Sequence, residues 1–493
     1  MTIAMVLMDC ALISFLAVLS ISREIYLGSN RLSSGTAVLN AIGVPEDTGS
    51  KVTENRFSDK KRKEMFVMKT EIYNVKKLSE YRELFIGKRV LVIGAGAVGS
   101  YLMEFFTKMG LSPDVIDNDS YTLENAAKHS CLVRTPEDAG RNKAVCVSER
   151  VQPLLDEGCT SNGIDCDVCK LGPEALADYD YVILAVDNYA AKILANELIR
   201  QIPEERRPIA VMDGTYGESA QSIITDNTDF CLRCVISEEW LKDINVHYSC
   251  GGAQYRVRDG ADVIVRTSNL ASSMAAYLSA EQVEATIKGI VDGVMNRMVT
   301  YTAYPNLEIT SSHPIRKENC PGCAIHPPAE IKWLHGSVLE VKLKDTINQL
   351  SEILGTTDFE ITSHCLHYRE VYHRGFVADD VCRSCGKPIH VMKHEGRTFI
   401  EDLTCDECSA AGKNADYNGN FDFSNGKIIY AFTPDTDNEI QEMTLYDLGY
   451  PLGAHIQVIK RNGAFNLADE KVEKMVFAFD EDHQRMHEIK KLS

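Results

Sequence analysis

The chain has no surplus of positive charge. Lys and Arg number 52 against 71 Asp and Glu, a formal net charge of −19, and the acidic excess is spread along the sequence rather than gathered in one tail. That distribution argues against a nucleic-acid binder. No internal repeat or low-complexity stretch is visible, which excludes a repeat array. The apolar run Ile3 to Ile21 contains Asp9, has no Lys or Arg before it, and is followed by no small-residue cleavage site. A secretory signal needs a preceding positive charge and such a cleavage site, and a membrane span tolerates a carboxylate poorly. We therefore expect a buried or partner-covered helix in a cytoplasmic chain, with no membrane anchor. Thr48 to Lys63 reads as a polar linker, with Met65 or Met68 as a possible true start of the folded domain. The length supports roughly two to three domains.

What is present begins at Arg89-Val-Leu-Val-Ile93, a short aliphatic run. It is followed by Gly94-Ala-Gly96-Ala-Val-Gly99 and a helical-period stretch to Met109. This is strand, glycine turn, helix. Gly94 permits the tight turn, Gly96 lets backbone approach a phosphate oxygen, and Gly99 lets the helix pack close, so helix N-terminal amides face an anion. Asp117, after a second strand Pro113–Ile116, stands where an acid grips ribose hydroxyls. Those residues alone fit a dinucleotide oxidoreductase as well as an ATP site.

The following residues favour ATP. Asp117-Asn-Asp119 leads to Asn125, Lys128 and His129, and Gly140-Arg-Asn-Lys143 adds an amine at the start of the next helix. Attack on an α-phosphorus drives negative charge onto departing pyrophosphate, which such cations stabilise. Tyr181-Val-Ile-Leu-Ala-Val-Asp187 is a buried-type strand ending in a carboxylate suited to Mg²⁺ beside phosphates. With these motifs the sequence resembles the ThiF/MoeB and ubiquitin-activating enzyme superfamily from about Gly87 to Cys323. The resemblance implies ribose and site-geometry roles for Asp117 and Asp119, phosphate contacts for Asn125 and Lys143, and Mg²⁺ at Asp187. Lys128 stands where the family usually has Arg, keeping charge without the planar fork. Ala97 replaces a third family glycine, and His129 a frequent Gln.

Sixteen cysteines include several Cys-x-x-Cys pairs. Cys382/Cys385 and Cys405/Cys408, with 19 residues between the pairs, have zinc-ribbon spacing. Cys231/Cys234 and Cys320/Cys323 are far apart in sequence, and the resemblance makes them a second structural zinc site. Cys166-Asp-Val-Cys169 reads as core in strand-like sequence. Cys250, in His247-Tyr-Ser-Cys-Gly-Gly252, precedes a small-residue helix beginning near Ser268. In ThiF and MoeB relatives a cysteine holds this place, which implies a thiolate able to take an acyl group from an adenylate.

Beyond Cys323, Pro327-Pro328 marks a boundary, Leu343 to Leu354 predicts a helix, and Phe359 to Val377 alternates like a strand. We divide the chain into an extension (1–64), a doubly wound α/β adenylation domain with an inserted zinc site (65–328), a helix and zinc ribbon (329–430), and a β-rich module (431–493). The segment Met443 to Val458 resembles the tail of bacterial ThiF-like enzymes encoded beside ubiquitin-like and conjugating-enzyme-like proteins, in systems linked to antiphage defence. The expectation is an ATP- and Mg²⁺-dependent activating enzyme, homodimeric like its relatives, that adenylates a ubiquitin-like protein and forms a thioester at Cys250, with Lys143 and Asp187 in the chemistry. Activation of a sulfur-carrier protein for cofactor biosynthesis is the alternative.

Overall fold

The computed structural model describes residues 82–123, 129–134, 136–187, 189–236, 268–362, 375–394, 401–412, 426–460 and 473–482, with short pieces at 255–256, 262–263, 398, 485–486 and 488. All of these lie in one compact unit, Asn74–Ser493. The apolar run Ile3–Ile21 and the linker lie outside the described residues.

The unit is built on an eight-stranded sheet. Strand β1 (Arg89–Ile93) is short, aliphatic and buried from Val90 onward, as expected for a strand covered on both faces. It leads through the glycine turn into α1 (Ala97–Met109), which buries Leu102, Met103 and Phe106 and ends at Gly110, whose φ of 87° no branched residue adopts readily. β2 (Ser112–Ile116) pairs parallel to β1, and α2 (Lys143–Val151) leads to the edge strand β3 (Gly163–Ile164). The chain then crosses to the other side of β1 with β4 (Tyr181–Leu184), α3 (Tyr189–Gln201) and β5 (Ile209–Tyr216), and β1, β4 and β5 run parallel. This reversal of direction between β1 and β4 opens a crevice at the strand carboxyl ends, where doubly wound sheets take ligands. Beyond β5 the sheet turns antiparallel through β6 (Ser219–Thr225), β7 (Arg297–Thr302) and β8 (Glu308–Ser312).

The small-residue stretch forms α4 (Asn269–Ile287), capped by Ser268, whose Oγ accepts from Ala271 N at 3.1 Å. Its Ala271, Ala275, Ala276 and Ser279 allow close packing against α1 and β6. Ser279 Oγ meets Ser222 Oγ at 2.8 Å, so the buried polar atoms of this seam are matched.

After residue 328 the chain builds a second sheet. Its strands are β9 (Ile331–Leu334), β10 (Phe359–Thr362), β14 (Ala431–Phe432), β15 (Ile456–Lys460) and β16 (Glu473–Phe479), in the order β9-β16-β15-β10-β14. This sheet takes strands from both sides of residue 430, so the two C-terminal pieces divided in the sequence share one layer. The helix α5 (Leu343–Leu354) spans the residues its periodicity predicts, burying Leu343, Ile347 and Leu350 and ending at Gly355 with φ 65°. A three-stranded sheet of β11 (Phe376–Val381), β12 (Pro388–His394) and β13 (Lys427–Ile429) carries one cysteine pair on its hairpin. The segment around Cys166 is a 3-10 turn, Val168–Lys170, rather than strand, because Asp167 Oδ1 accepts from Cys169 N at 2.9 Å and turns the chain.

Among the described residues no helix is long and apolar enough to cross a membrane.

Candidate active site and cysteine clusters

The glycine turn is shaped by what its positions exclude. Gly94 has φ 102°, and a Cβ there would meet Ala185 O at 2.6 Å; one on Gly99 would meet Gly94 O at 1.9 Å. A Cβ on Gly96 would meet nothing within 4 Å. Gly94 and Gly99 are therefore required by the fold, whereas Gly96 leaves open space in front of the α1 N-terminus, a cradle for an anion.

Asp117 closes the turn from below β2 in sequence. Its Oδ2 accepts from Ala95 N at 2.7 Å and its Oδ1 from Asp119 N at 2.9 Å. Burial raises its carboxyl above the ordinary value, against the pull of Lys143 and of these amides. Tyr121, fully buried, donates from its hydroxyl to Ala95 O at 2.8 Å and stacks edge-on against His129. Asn142 ties the next segment in: it caps α2 by accepting from Val145 N at 3.0 Å and donates to Asp117 O at 2.8 Å.

That cap delivers Lys143 to the crevice. Its Nζ donates to Asp119 Oδ2 at 2.8 Å while its backbone N–H donates to Asp119 O at 2.8 Å. Burial opposes the ammonium, but Asp117, Asp119 and Asp187 together outweigh it and raise its pKa. Asp119 is 67% exposed, so this pair adds only ~0–1 kcal/mol to stability. Its effect is to orient the amine.

Asp187 follows β4 at the same end of the sheet. Its side chain is open to solvent, yet the surrounding protein raises its carboxyl by partial desolvation, while Lys192 and Lys143 lower it. The turn, Asp117, Asp119, Lys143 and Asp187 thus form one electrostatically connected group, with open space at Gly96 before the α1 N-terminus. Asn125, Lys128 and Cys250 lie outside the described residues.

Sequence reading missed four residues here. Asn142 had a signal, since Asn directly before a helix is a standard cap. Tyr121 had none. Lys192 and Asp213 are charges on a helix and a strand that are apart in sequence, and nothing in the sequence shows that they meet.

The first cysteine cluster joins Cys231 and Cys234, at the start of the short helix Leu232–Val235, to Cys320 and Cys323 after β8. All four are buried, with Sγ separations of 4.0 Å (231–234), 3.8 Å (231–320), 3.4 Å (234–323) and 3.5 Å (231–323). Four thiolates at about 2.3 Å from a tetrahedral zinc stand about 3.8 Å apart, which these edges bracket. A Cβ on Gly322 would lie 2.9 Å from Cys231 Sγ, so the close approach of the two pairs needs that glycine. Arg200 donates to Cys323 O at 3.3 Å and Ile325 O at 3.1 Å, fixing the second loop. The Cys320 thiol is pulled down to about 4 by its hydrogen bond with Cys231, whose own thiol is pushed up.

The second cluster, Cys382, Cys385, Cys405 and Cys408, is more open. Cys405 N donates to Cys382 Sγ at 3.3 Å, and Cys385 and Cys405 Sγ are 3.6 Å apart. Gly386 N donates to Cys382 O at 2.8 Å, with φ 73° at that glycine, and Cys408 N donates to Cys405 O at 2.9 Å. Both pairs are thus tight knuckles with sulfurs turned to one point, and both clusters have the donor set for zinc.

Two contacts tie the C-terminal sheet to the part of the chain that carries the eight-stranded sheet. Gly172 N donates to Leu452 O at 2.7 Å, at a crossing where a Cβ on Gly172 would lie 2.3 Å from Gly453 O. Beside it, Glu174 receives both Arg206 nitrogens at 2.9 and 3.1 Å and pairs with His455 Nε2 at 2.8 Å.

A model of the ThiF family matches residues 75–323, just over half of the chain. Among curated proteins the chain is similar to the ATP-dependent ubiquitin transferase-like protein Cap2 of Vibrio cholerae, 24% identical over 183 residues, covering 33% of this chain and 31% of that protein. It is also similar to the SAMP-activating enzyme E1 of Haloferax volcanii, 26% identical over 156 residues, covering 31% of this chain and 55% of that protein. The matched stretch thus spans about a third and about half of these relatives' own lengths. Among solved structures, E. coli MccB with ATP is similar at 16% identity and TM-score 0.41, covering 59% of this chain and 86% of that one.

Proposed function

The chain belongs to the ThiF family, and on that premise we propose that it is an adenylating enzyme acting on the C-terminal carboxylate of a ubiquitin-like protein. The observation that carries the reading is Lys143. Its amine, held by Asp119 and drawn by Asp117 and Asp187, stands beside a glycine turn already open to an anion. An oxidoreductase has no use for a cation and a strand-end acid there, whereas a reaction that expels pyrophosphate needs both. The names of the two curated relatives, one ubiquitin transferase-like and one an E1, favour the same substrate class.

In this reading Asp117 grips the ribose and the α1 N-terminus binds phosphate oxygens. A carboxylate oxygen of the carrier attacks the α-phosphorus, and pyrophosphate departs as Lys143 offsets its growing charge. Mg²⁺ held by Asp187 would supply further charge neutralisation on the triphosphate. The product is an acyl-adenylate. The Cys250 thiolate then attacks its carbonyl carbon, forming a thioester and releasing AMP. Zinc at the two cysteine clusters has a structural role, a second copy of the chain completes a homodimer, and a conjugating-enzyme-like protein receives the acyl group, in a conjugation system of the antiphage type.

Carrier-dependent exchange of labelled pyrophosphate into ATP tests the reading. Exchange is expected with a ubiquitin-like protein bearing a free C-terminal carboxylate and not with one whose C-terminus is amidated. Exchange only with a sulfur-carrier protein would move the substrate to the alternative. No exchange with either, together with hydride transfer from NADH, would overturn adenylation.

A further inference from the structure

Lys192 is the fourth residue of α3 and is 6% exposed. Burial disfavours its charge, and the first turn of a helix disfavours a cation a second time. Two acids from other elements act against this, although burial still leaves the Lys192 pKa below its ordinary value. Lys192 Nζ donates to the main-chain oxygen of Asp213 on β5 at 2.8 Å, and the Asp213 and Asp187 carboxylates both act on it electrostatically. The Tyr189 ring, with its centroid 5.5 Å from Nζ, adds a further favourable face.

Asp213 is equally confined. It is 4% exposed, its Oδ2 has no hydrogen-bond partner among the described residues, and burial pushes its carboxyl up to about 7 against the pull of Lys192. Met212 is in register with Leu184, so Asp213 lies one row past the end of β4, at the level where the chain leaves the sheet towards Asp187. Buried ionic groups of this kind can often be replaced by apolar residues at no loss of stability, or with a gain. Stability therefore does not account for charges at this place, whereas proximity to Asp187 does.

We propose that Lys192 and Asp213 are positioning residues for Asp187. Lys192, anchored to β5 through the Asp213 main-chain carbonyl, supplies the counter-charge that holds the Asp187 carboxylate in place to receive a divalent cation on a bound triphosphate, and the Asp213 carboxylate favours the charged form of Lys192. This rests on the adenylation reading.

The test is the ratio of ATP affinities with and without Mg²⁺, measured by calorimetry on the full chain for wild type, Lys192→Met, Lys192→Arg, Asp213→Asn and Asp187→Ala. Lys192→Met is expected to lower the ratio by about tenfold, the scale of effects from groups that orient metal ligands. Lys192→Arg should restore most of it, and Lys192→Met combined with Asp187→Ala should add little to Asp187→Ala alone. A folded Lys192→Met or Asp213→Asn with the wild-type ratio, while Asp187→Ala loses it, would overturn this proposal alone. If Lys192→Met fails to fold, Asp213→Asn decides, because Asn is close in size to Asp and removes only its charge. A wild-type ratio in Asp187→Ala would remove the metal role of Asp187 and this proposal with it.

Discussion

Asp117 accepts a hydrogen bond from the backbone of the glycine turn at Ala95 through one carboxylate oxygen, and from Asp119 through the other, at 2.7 and 2.9 Å. One side chain therefore sets both the phosphate-facing turn and the residue that orients Lys143. The turn can be divided experimentally. Gly99→Ala would put a methyl group 1.9 Å from Gly94 O and should destabilise the fold. Gly96→Ala adds a methyl to open space and should leave the melting temperature unchanged while weakening ATP binding by about tenfold, or 1.4 kcal/mol. Equal ATP affinity in Gly96→Ala and wild type would mean that no phosphate approaches there.

Lys143→Ala and Asp187→Ala should each reduce carrier-dependent pyrophosphate exchange by about 10²–10³-fold, the scale of losing one preorganised charge in a transition state. Melting temperatures should stay near wild type, since the partner of Lys143 is largely exposed. Exchange near the wild-type rate in either variant would remove that residue from the chemistry.

Much of this site was legible because its parts are local. Strand, glycine turn and helix occupy one run from Arg89 to Met109, and Asp117 follows the next strand, so spacing alone brings them together. α5 was equally plain, with apolar residues at 343, 347 and 350 and a terminal glycine. What stayed hidden depends on pairing across long sequence distances. No local pattern shows that Ile331–Leu334 pairs parallel to β16, about 145 residues later, or that His455 meets Glu174. Lys192 and Asp213 stayed hidden for the same reason, since each looks like an isolated charge until β4, β5 and α3 assemble.

The cysteine clusters are expected to bring two zinc ions per chain, measured by elemental analysis of protein purified without chelator. Cys320→Ser should remove one ion and lower the melting temperature, because the cluster lies in the main core. Cys382→Ser should remove the other and locally unfold the hairpin of the β11–β13 sheet that carries the cysteines, where a small cluster of Val377, Val391 and Leu403 lies apart from the main core. Purified protein with no zinc and with its paired cysteines oxidised would overturn the assignment.

The Glu174–Arg206–His455 group should respond to acid. Burial pushes the Glu174 carboxyl up, but hydrogen bonds from His455 and Arg206 outweigh it and leave the group below its ordinary value of 4.5. A lowered carboxyl contributes stability that is present above 4.5 and is lost as pH falls through the folded value. Glu174→Ala should cost about 3–5 kcal/mol at pH 7 by leaving Arg206 and His455 without their partner. The difference from wild type should shrink in urea unfolding below pH 4.5. A difference that stays constant from pH 7 to pH 3.5 would mean that the carboxylate charge contributes nothing.

Cys250→Ala should separate the two half-reactions. Adenylation uses a carboxylate and ATP and needs no thiol, so pyrophosphate exchange should continue in the variant. Thioester formation needs a thiolate within reach of the adenylate carbonyl, so the thiol-sensitive adduct between enzyme and carrier should disappear. Cys146 is the control: it is buried in α2 and its thiol is pushed up to about 11 by burial, so Cys146→Ala should leave the adduct intact. A non-reducing gel after incubation with ATP and carrier reads both variants. An adduct that persists in Cys250→Ala would assign the covalent step to another residue, and a wild-type enzyme that exchanges pyrophosphate without ever forming one would hand its adenylate directly to a partner.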